Sequence, residues 1–195
     1  MNRVTILIFA IVLLNSCGGE SGTTSNTSKK VIVKEIESIP KSRIDEYKDA
    51  INSAREQGQT CGSYGYFAPA KPLKWNNKLY KAAYEHSRDI ALYGVLEHDG
   101  TNSDSDWTAY DLNLNRGSKF YERIENSGYD SYKLVAENVA AGTYMISAKD
   151  AVDAWIKSPG HCKTLMNANL KEFGLAHVKK DTKYVNYWTL DLGER

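Results

Sequence analysis

The stretch WIKSPGHC, residues 155–162, contains the residues that decide the fold. Upstream of it, apolar residues recur with the spacing of an amphipathic helix, at Ala148, Ala151, Val152 and Trp155. Ser147 occupies the N-cap position of this helix, and Asp150 follows three residues later as an acidic variant of the capping box. Pro159 cannot continue the helix, because it has no amide hydrogen to donate. The chain is therefore predicted to turn at Pro159 and to display His161 and Cys162 at the end of an element.

Hydrophobic periodicity predicts further elements on both sides of this stretch. Helical patterns recur over residues 42–57, 76–93 and 120–127, and each is followed by a glycine. Residues 172–178 and 184–192 have the pattern of two strands joined by a polar turn, which indicates an antiparallel hairpin. Because no strand–helix–strand order repeats along the chain, the pattern predicts an α+β domain with helices packed on an antiparallel sheet.

The four histidines are the first candidates for a chemical role, because neutral imidazole is a common metal ligand. His98 and His161 lie near predicted element ends and beside glycines, where functional side chains are often displayed. They are 63 residues apart (161 − 98), and no HExxH motif joins them, so spacing alone does not establish a shared site. His86, on the buried face of a predicted helix, and His177, in a predicted strand, are interpreted as hydrogen-bonded structural histidines.

Glu137 is the acidic residue that stands out, because it lies in the small and apolar run AENVAAG, residues 136–142. A charge in such surroundings needs a partner or a metal ion. The alternative is a glutamate at a strand edge that reaches solvent or caps a turn. The sequence has no G-x-S-x-G elbow, no phosphate-binding loop and no CxxC pair, which argues against the usual nucleophilic and nucleotide-binding classes.

Taken together, several blocks of sequence resemble a bacterial CAP domain, the SCP-like domain of cysteine-rich secretory, antigen 5 and pathogenesis-related proteins. The blocks are LYKAAYEHS (79–87), EH (97–98), ENVA (137–140), WIKSPGHC (155–162), FGLA (173–176) and YWTLD (187–191). Their order and spacing fit the family over about residues 40–193. The resemblance implies a three-layer α-β-α sandwich with a central antiparallel sheet and a surface cleft.

The resemblance also implies a site in which two histidines from distant segments meet in the cleft and can hold Zn²⁺. Those positions match His98 and His161, and the family's first cleft glutamate matches Glu137. The chain departs from the family's pattern at Ala136 (usually Gly), at Ser158 (the second glutamate of eukaryotic members) and at Leu190 (usually Gln in bacterial members). The four-residue constellation of the family is therefore incomplete here.

We expect a metal-binding cleft formed by His98, His161 and Glu137, in a binding module with no assigned catalytic residue. Metal-assisted hydrolysis needs a general base beside the bound water, and Ser158 replaces the matching carboxylate. The ligand classes implied by the resemblance are lipids, sterols, cell-wall material and other proteins. The alternative function is a metal-dependent hydrolase that acts on envelope components. A net charge of +1 with scattered lysines and arginines argues against nucleic acid as a partner.

The N-terminal sequence predicts export. Residues 1–16, MNRVTILIFAIVLLNS, have the layout of a secretory signal, and the apolar part is too short for a permanent membrane span. LNSC, residues 14–17, resembles a bacterial lipobox, although Asn15 stands where a small residue is usual. We expect a signal peptide over residues 1–16, a lipidated Cys17 with a flexible tether over 17–38, and a CAP domain over 39–195, anchored to the membrane of the cell envelope. The alternative is an ordinary cleaved signal with a free cysteine nearby.

The chain has three cysteines, and an exported protein with three has one left over after pairing. Lipidation of Cys17 would remove the odd one. Cys61 and Cys162 are then predicted to form a disulfide in an oxidising compartment.

Overall fold

A computed structural model describes residues 34–195 of the chain. The predicted signal peptide, Cys17 and the predicted tether as far as residue 33 lie outside the described residues. Residues 34–38 follow the surface of the domain: the Tyr80 hydroxyl donates to the Glu37 carbonyl at 2.8 Å, and Lys34 forms an ion pair with Asp111. Within the described part, no helix is both long and apolar enough to cross a membrane.

The elements are, in chain order, α1 (Lys41–Glu56), β1 (Gln59–Thr60), β2 (Tyr66–Phe67), β3 (Lys74–Trp75), α2 (Asn77–Tyr93), α3 (Trp107–Asp111), α4 (Phe120–Asn126), β4 (Leu134–Ala141), α5 (Ala148–Lys157), α6 (Pro159–Leu165), β5 (Glu172–Lys179) and β6 (Asn186–Glu194). A single 3₁₀ turn, Gly62–Tyr64, lies between β1 and β2. The four helices predicted from periodicity correspond to α1, α2, α4 and α5.

Local chemistry sets the ends of these helices. The Asn76 side chain caps α2 by accepting hydrogen bonds from the first-turn amides, and Gly94 ends the helix in the left-handed conformation with φ of 65°. The predicted capping box of Ser147 and Asp150 is present in α5. The prediction of a stop at Pro159 is incomplete, because α6 begins there; proline suits the first turn of a new helix, where its missing amide hydrogen has no helical partner.

The main sheet has the strand order β3-β5-β6-β4. β5, β6 and β4 pair antiparallel, which confirms the predicted hairpin, while the two-residue β3 pairs parallel with β5. The second strand of the hairpin begins at Asn186 and not at Tyr184 as predicted. Val185 has a φ of 68°, which is not extended backbone, so Tyr184 and Val185 belong to the turn.

Helices cover both faces of this sheet, which confirms the three-layer sandwich. On one face α2 lies close against the sheet at Gly174, where an added Cβ would come within 2.0 Å of the Tyr80 amide nitrogen. On the other face, Trp155 of α5 and residues of α1 and α6 pack on the apolar side chains of β5 and β6. Leu190, where the family usually has Gln, is fully buried in this second layer.

The disulfide between Cys61 and Cys162 is present, with a Cα separation of 5.3 Å, so this prediction is confirmed. Both cysteines are fully buried and pack against Met166. The bridge fixes the start of the domain to α6, the helix that carries His161.

Candidate functional site

The candidate site lies at β4, which forms one edge of the main sheet. His98 is in the loop that follows α2, on one side of the sheet, and His161 is on α6, on the other side. The two rings meet at this edge, with centroids 5.9 Å apart. Asn138 of β4 fixes α6 there, because its side-chain amide donates to the His161 carbonyl at 3.0 Å. The structure therefore brings together the two histidines that are far apart in sequence.

Glu137, also on β4, lies behind His98 and is almost completely buried, with 1% of its side chain exposed. Its Oε1 accepts a hydrogen bond from His98 Nδ1 at 2.9 Å, and its Oε2 accepts one from Arg123 Nη2 at 2.8 Å. A proton on Nδ1 leaves His98 Nε2 with its lone pair available. Glu137 thus sets the tautomer of His98, and both of its oxygens are engaged.

The electrostatic balance keeps Glu137 ionised. Burial on its own would favour the neutral acid, but the charge of Arg123, the neighbouring His86 and the hydrogen bonds from His98 and Arg123 outweigh it. The pKa of Glu137 falls to about 2. The charge that the sequence places in a small, apolar run therefore has an ion-pair partner in the fold.

The two cleft histidines differ in protonation. The hydrogen bond to Glu137 raises the pKa of His98, against the effect of partial burial. Burial, together with the nearby His98, lowers the pKa of His161. As the pH rises, His161 therefore loses its proton before His98 does, and His98 holds its proton more tightly than an isolated histidine does.

Arg123 and Asp191 belong to the same buried network, and sequence reasoning assigned them no role. Arg123, on α4, is 1% exposed and also donates to the His98 carbonyl at 2.9 Å, so it ties the loop of His98 to the carboxylate. Asp191, on β6, is the register partner of Glu137; its carboxyl oxygens accept no hydrogen bond in the described part of the chain, and its carboxyl group contacts that of Glu137. Burial and the charge of Glu137 raise the pKa of Asp191 well above its ordinary value. The sequence contained one signal for Asp191, an acidic residue inside the otherwise apolar block YWTLD. It contained no signal that would have assigned a role to Arg123.

The other two histidines have structural contacts. His86 is fully buried and bonds through Nε2 to the Glu97 carbonyl at 2.9 Å. Burial lowers its pKa to about 4, so its 4.0 Å approach to Glu137 is not an ion pair at neutral pH. His177 bonds to the Asn186 side chain at 3.0 Å and stacks on Trp188 with ring centroids 4.0 Å apart.

The donor set suits a two-histidine metal site. Across residues 34–195, no three His, Cys, Asp or Glu side chains are placed to hold a metal ion together. Glu137 instead has the position of the carboxylate that orients a metal-binding imidazole from behind. The side chains that would hold a metal are thus His98 and His161, with Glu137 as the hydrogen-bond acceptor of His98.

A cavity of about 550 Å³ opens beside His98, and its lining also includes Tyr93, Val95, Glu97 and Thr101 but not His161. A larger cavity of about 970 Å³ lies between α1 and α5, and none of the four histidines lines it. The histidine pair and the larger of these two cavities therefore lie in different places.

The chain matches a protein-family model and is similar to known proteins. The family model described as "Cysteine-rich secretory protein family" (CAP) matches residues 48–192. The uncharacterized protein YkwD of Bacillus subtilis is 28% identical over 109 residues, which cover 56% of this chain and 36% of that protein. The chain thus spans about a third of the length of this curated relative.

Two solved structures are similar to the chain. An outer surface protein of Borrelia burgdorferi is 20% identical, with a TM-score of 0.57, over 80% of this chain and 94% of that one. An extracellular SCP-domain protein of Bacillus anthracis is also 20% identical, with a TM-score of 0.49, over 65% of this chain and 35% of that one. The likeness to the Borrelia structure shows that the fold is shared.

Proposed function

Because the chain belongs to the cysteine-rich secretory protein (CAP) family, we propose that it is an exported, lipid-anchored CAP domain whose cleft binds a divalent metal ion and a ligand of the cell envelope. The observation that carries the proposal is the pairing of His98 and His161, with ring centroids 5.9 Å apart and a buried carboxylate behind one of them. Zn²⁺ is the metal that this donor set suits, since zinc takes imidazole nitrogen readily.

The residues have separate tasks in this proposal. His98 and His161 supply the nitrogen ligands, and Glu137 holds His98 in the tautomer that leaves Nε2 free. Zinc bound by two imidazoles would keep open coordination positions for an anionic or carbonyl group of a ligand. The cavity of about 550 Å³ beside His98 offers room for such a group.

The hydrogen bonds and the burial of Glu137 favour a metal-binding role of the cleft over a hydrolytic one. A hydrolase needs a base that can reach a metal-bound water. Both carboxylate oxygens of Glu137 are engaged, by His98 and Arg123, and the side chain is 1% exposed. This carboxylate is therefore placed to orient an imidazole and not to deprotonate a water.

The cellular location in this proposal rests on the sequence of residues 1–17, with its apolar segment and its Cys17. The outer-surface description of the Borrelia structure agrees with export. The ligand class, a lipid, a cell-wall component or an envelope protein, follows from the family. We assign no catalytic residue.

Zinc-dependent thermal unfolding tests the proposal. At a zinc concentration about a hundred times the Kd, a single site adds about 2.7 kcal/mol to the stability of the protein. We expect this gain in the wild type and its loss in His98→Ala/His161→Ala. His177→Gln is the matched control, because His177 lies outside the cleft, and it should keep the gain.

Since protonated imidazole cannot bind metal, the gain should shrink as the pH falls through the raised pKa of His98. Equal stabilisation of the wild type and the double variant would disprove the shared site.

A further inference from the structure

Three segments meet at one end of the domain, beyond the last residues of β4 and β5. They are the C-terminus of α2 with Leu92 and Tyr93, the loop of residues 142–146, and the hairpin turn of residues 180–185. Thr182 of the turn donates to the Ala91 carbonyl at 2.9 Å. Asn186 donates to the Thr143 carbonyl at 2.9 Å. The three segments therefore form one continuous surface, which we call the docking end.

The docking end exposes large apolar side chains. Tyr144 is 91% exposed and Ile146 is 71% exposed, both in the loop after β4. Tyr93 and Leu92, at the end of α2, are 57% and 39% exposed. Within residues 34–195, Tyr144 and Ile146 are the two most exposed of the large apolar side chains. Exposing such side chains to water is unfavourable, and a cluster of them marks an interaction surface.

Basic side chains accompany this apolar surface. Three lysines are exposed here, Lys179 at the end of β5 and Lys180 and Lys183 in the hairpin turn, with Asp181 among them. Three lysines and one aspartate give residues 179–183 a net charge of +2 (3 − 1). The ammonium group of Lys183 lies 4.8 Å from the centre of the Tyr184 ring, so the basic and aromatic groups are in contact.

The turn is held in one shape. The fully buried Tyr187 accepts a hydrogen bond from the Tyr184 amide at 3.0 Å, and its hydroxyl also bonds to Thr182. Val185 is kept at a φ of 68°, a conformation that a β-branched residue rarely adopts. Strain of this kind persists only where the surroundings impose it, and it concentrates at functional positions. The turn thus presents its lysines in a fixed arrangement.

We propose that the docking end contacts an anionic lipid bilayer. Tyrosine rings favour the level of the headgroups, and lysine side chains extend to anionic headgroups around an inserted apolar group. Charge complementarity therefore selects an anionic bilayer over a neutral one. Cys17 and Lys34 are 17 residues apart (34 − 17), which at full extension span at most about 60 Å, so an anchored domain could turn this end to its own membrane.

Docking would also orient the cleft. Tyr93 belongs both to the docking end and to the cavity of about 550 Å³ that contains His98. Contact at Tyr93 would hold the mouth of that cavity near the lipid headgroups. This inference goes beyond the proposed function and does not depend on metal binding.

Tryptophan quenching by lipid tests the contact. The full chain carrying Tyr144→Trp is combined with vesicles of phosphatidylcholine and phosphatidylglycerol that contain a lipid with brominated acyl chains. Tyr66→Trp is the matched control: Tyr66 is 67% exposed, but it lies on β2, in a separate two-stranded sheet. The unsubstituted protein gives the background from the native tryptophans, and no metal is added.

We expect strong quenching in Tyr144→Trp and none above background in Tyr66→Trp. Substituting glutamine for Lys179, Lys180 and Lys183 should lower the ratio of docked to free domain about fivefold for each lysine. Vesicles of phosphatidylcholine alone should lower the quenching as well. Equal quenching at the two positions, or no quenching at either, would overturn the proposal. No quenching at either position would instead indicate that the docking end binds a protein partner. Because zinc is absent, failure here is distinct from failure of the metal site.

Discussion

Glu137 keeps its charge inside the domain because its two oxygens receive hydrogen bonds from His98 and Arg123. The ion pair with Arg123 has both side chains 1% exposed, so each charge would be left without compensation if the other were removed. The carboxylate in turn sets the orientation of His98. The buried pair therefore determines which nitrogen the cleft presents.

Asp191 is the member of this network whose carboxyl pKa is raised, and the direction of that shift gives a stability prediction with a definite sign. Its pKa is higher in the folded protein than the ordinary 3.8, so the folded state loses stability relative to the unfolded state as the pH rises above 3.8. Asn cannot titrate and avoids this loss. Asp191→Asn should therefore become more stable relative to the wild type as the pH rises above about 4, and Tm values measured against pH would report this gain.

The same comparison at a pH near the ordinary pKa of aspartate should show no gain, because Asp191 is then protonated in both states. Asp181→Asn, in the exposed hairpin turn, is the control and should change the Tm little at either pH. A loss of stability in Asp191→Asn at neutral pH would mean that Asp191 is ionised in the fold.

Single residues also show what sequence can and cannot predict. Glu137 was predicted to need a partner because its neighbours in sequence are small and apolar, and this is local information. Its partner Arg123 is 14 residues away, and Asp191 becomes its neighbour through the pairing of β4 with β6. Neither the ion pair with Arg123 nor the pairing with Asp191 produces a periodic pattern in the sequence, so this network could not be predicted without the fold.

At the scale of elements, four helices were predictable, including the seven-residue α4, and two short helices were not. α2 and α5 have several turns of apolar periodicity together with a cap residue, and these signals agree. α3 and α6 have five and seven residues and were not predicted, whereas α4, also of seven residues, was predicted with the help of the glycine that follows it. β3 has two residues and forms by pairing with β5, which sequence pattern does not reveal.

The contact of α2 with the sheet depends on Gly174, so a substitution at this position should change the stability of the protein. A Cβ at this position would lie 2.0 Å from the Tyr80 amide nitrogen, which is backbone and cannot rotate away. Gly174→Ala should therefore force α2 off the sheet and destabilise the protein by about 3 kcal/mol or more, as the midpoint of denaturant unfolding would report.

Gly160→Ala is the matched control for this variant. Nothing lies within 4 Å of a Cβ added to Gly160, and the residue belongs to α6, where Ala is favoured over Gly. Its stability should be unchanged or slightly raised. Equal losses in the two variants would contradict the close approach of α2 to the sheet.

For the whole molecule, the disulfide links α6, which carries His161, to the segment between β1 and β2. Cys61 and Cys162 are 101 residues apart, and a loop of that length corresponds to about 4 to 5 kcal/mol of stabilisation in the chain-entropy model. The fold and the disulfide were both predicted from sequence, because the family blocks and the cysteine count are strong signals. The anchor remains a prediction.

Replacement of Cys17 tests that anchor. Cys17→Ser removes the acceptor of the acyl chains, so the protein should leave the membrane fraction after a high-salt wash, which screens the lysine contacts of the docking end. The wild type should stay in the membrane fraction through the same wash. Retention of the variant would place the anchor elsewhere in the chain.

The central claim is that His98 and His161 together hold a metal ion in a ligand-binding cleft. Native mass spectrometry of the protein purified from its own envelope reports metal and bound ligand in one measurement. The account predicts one divalent ion per chain in the wild type, with or without a further ligand mass, and its loss in His98→Ala/His161→Ala. A wild-type chain without metal, or a double variant that keeps the ion, would contradict it.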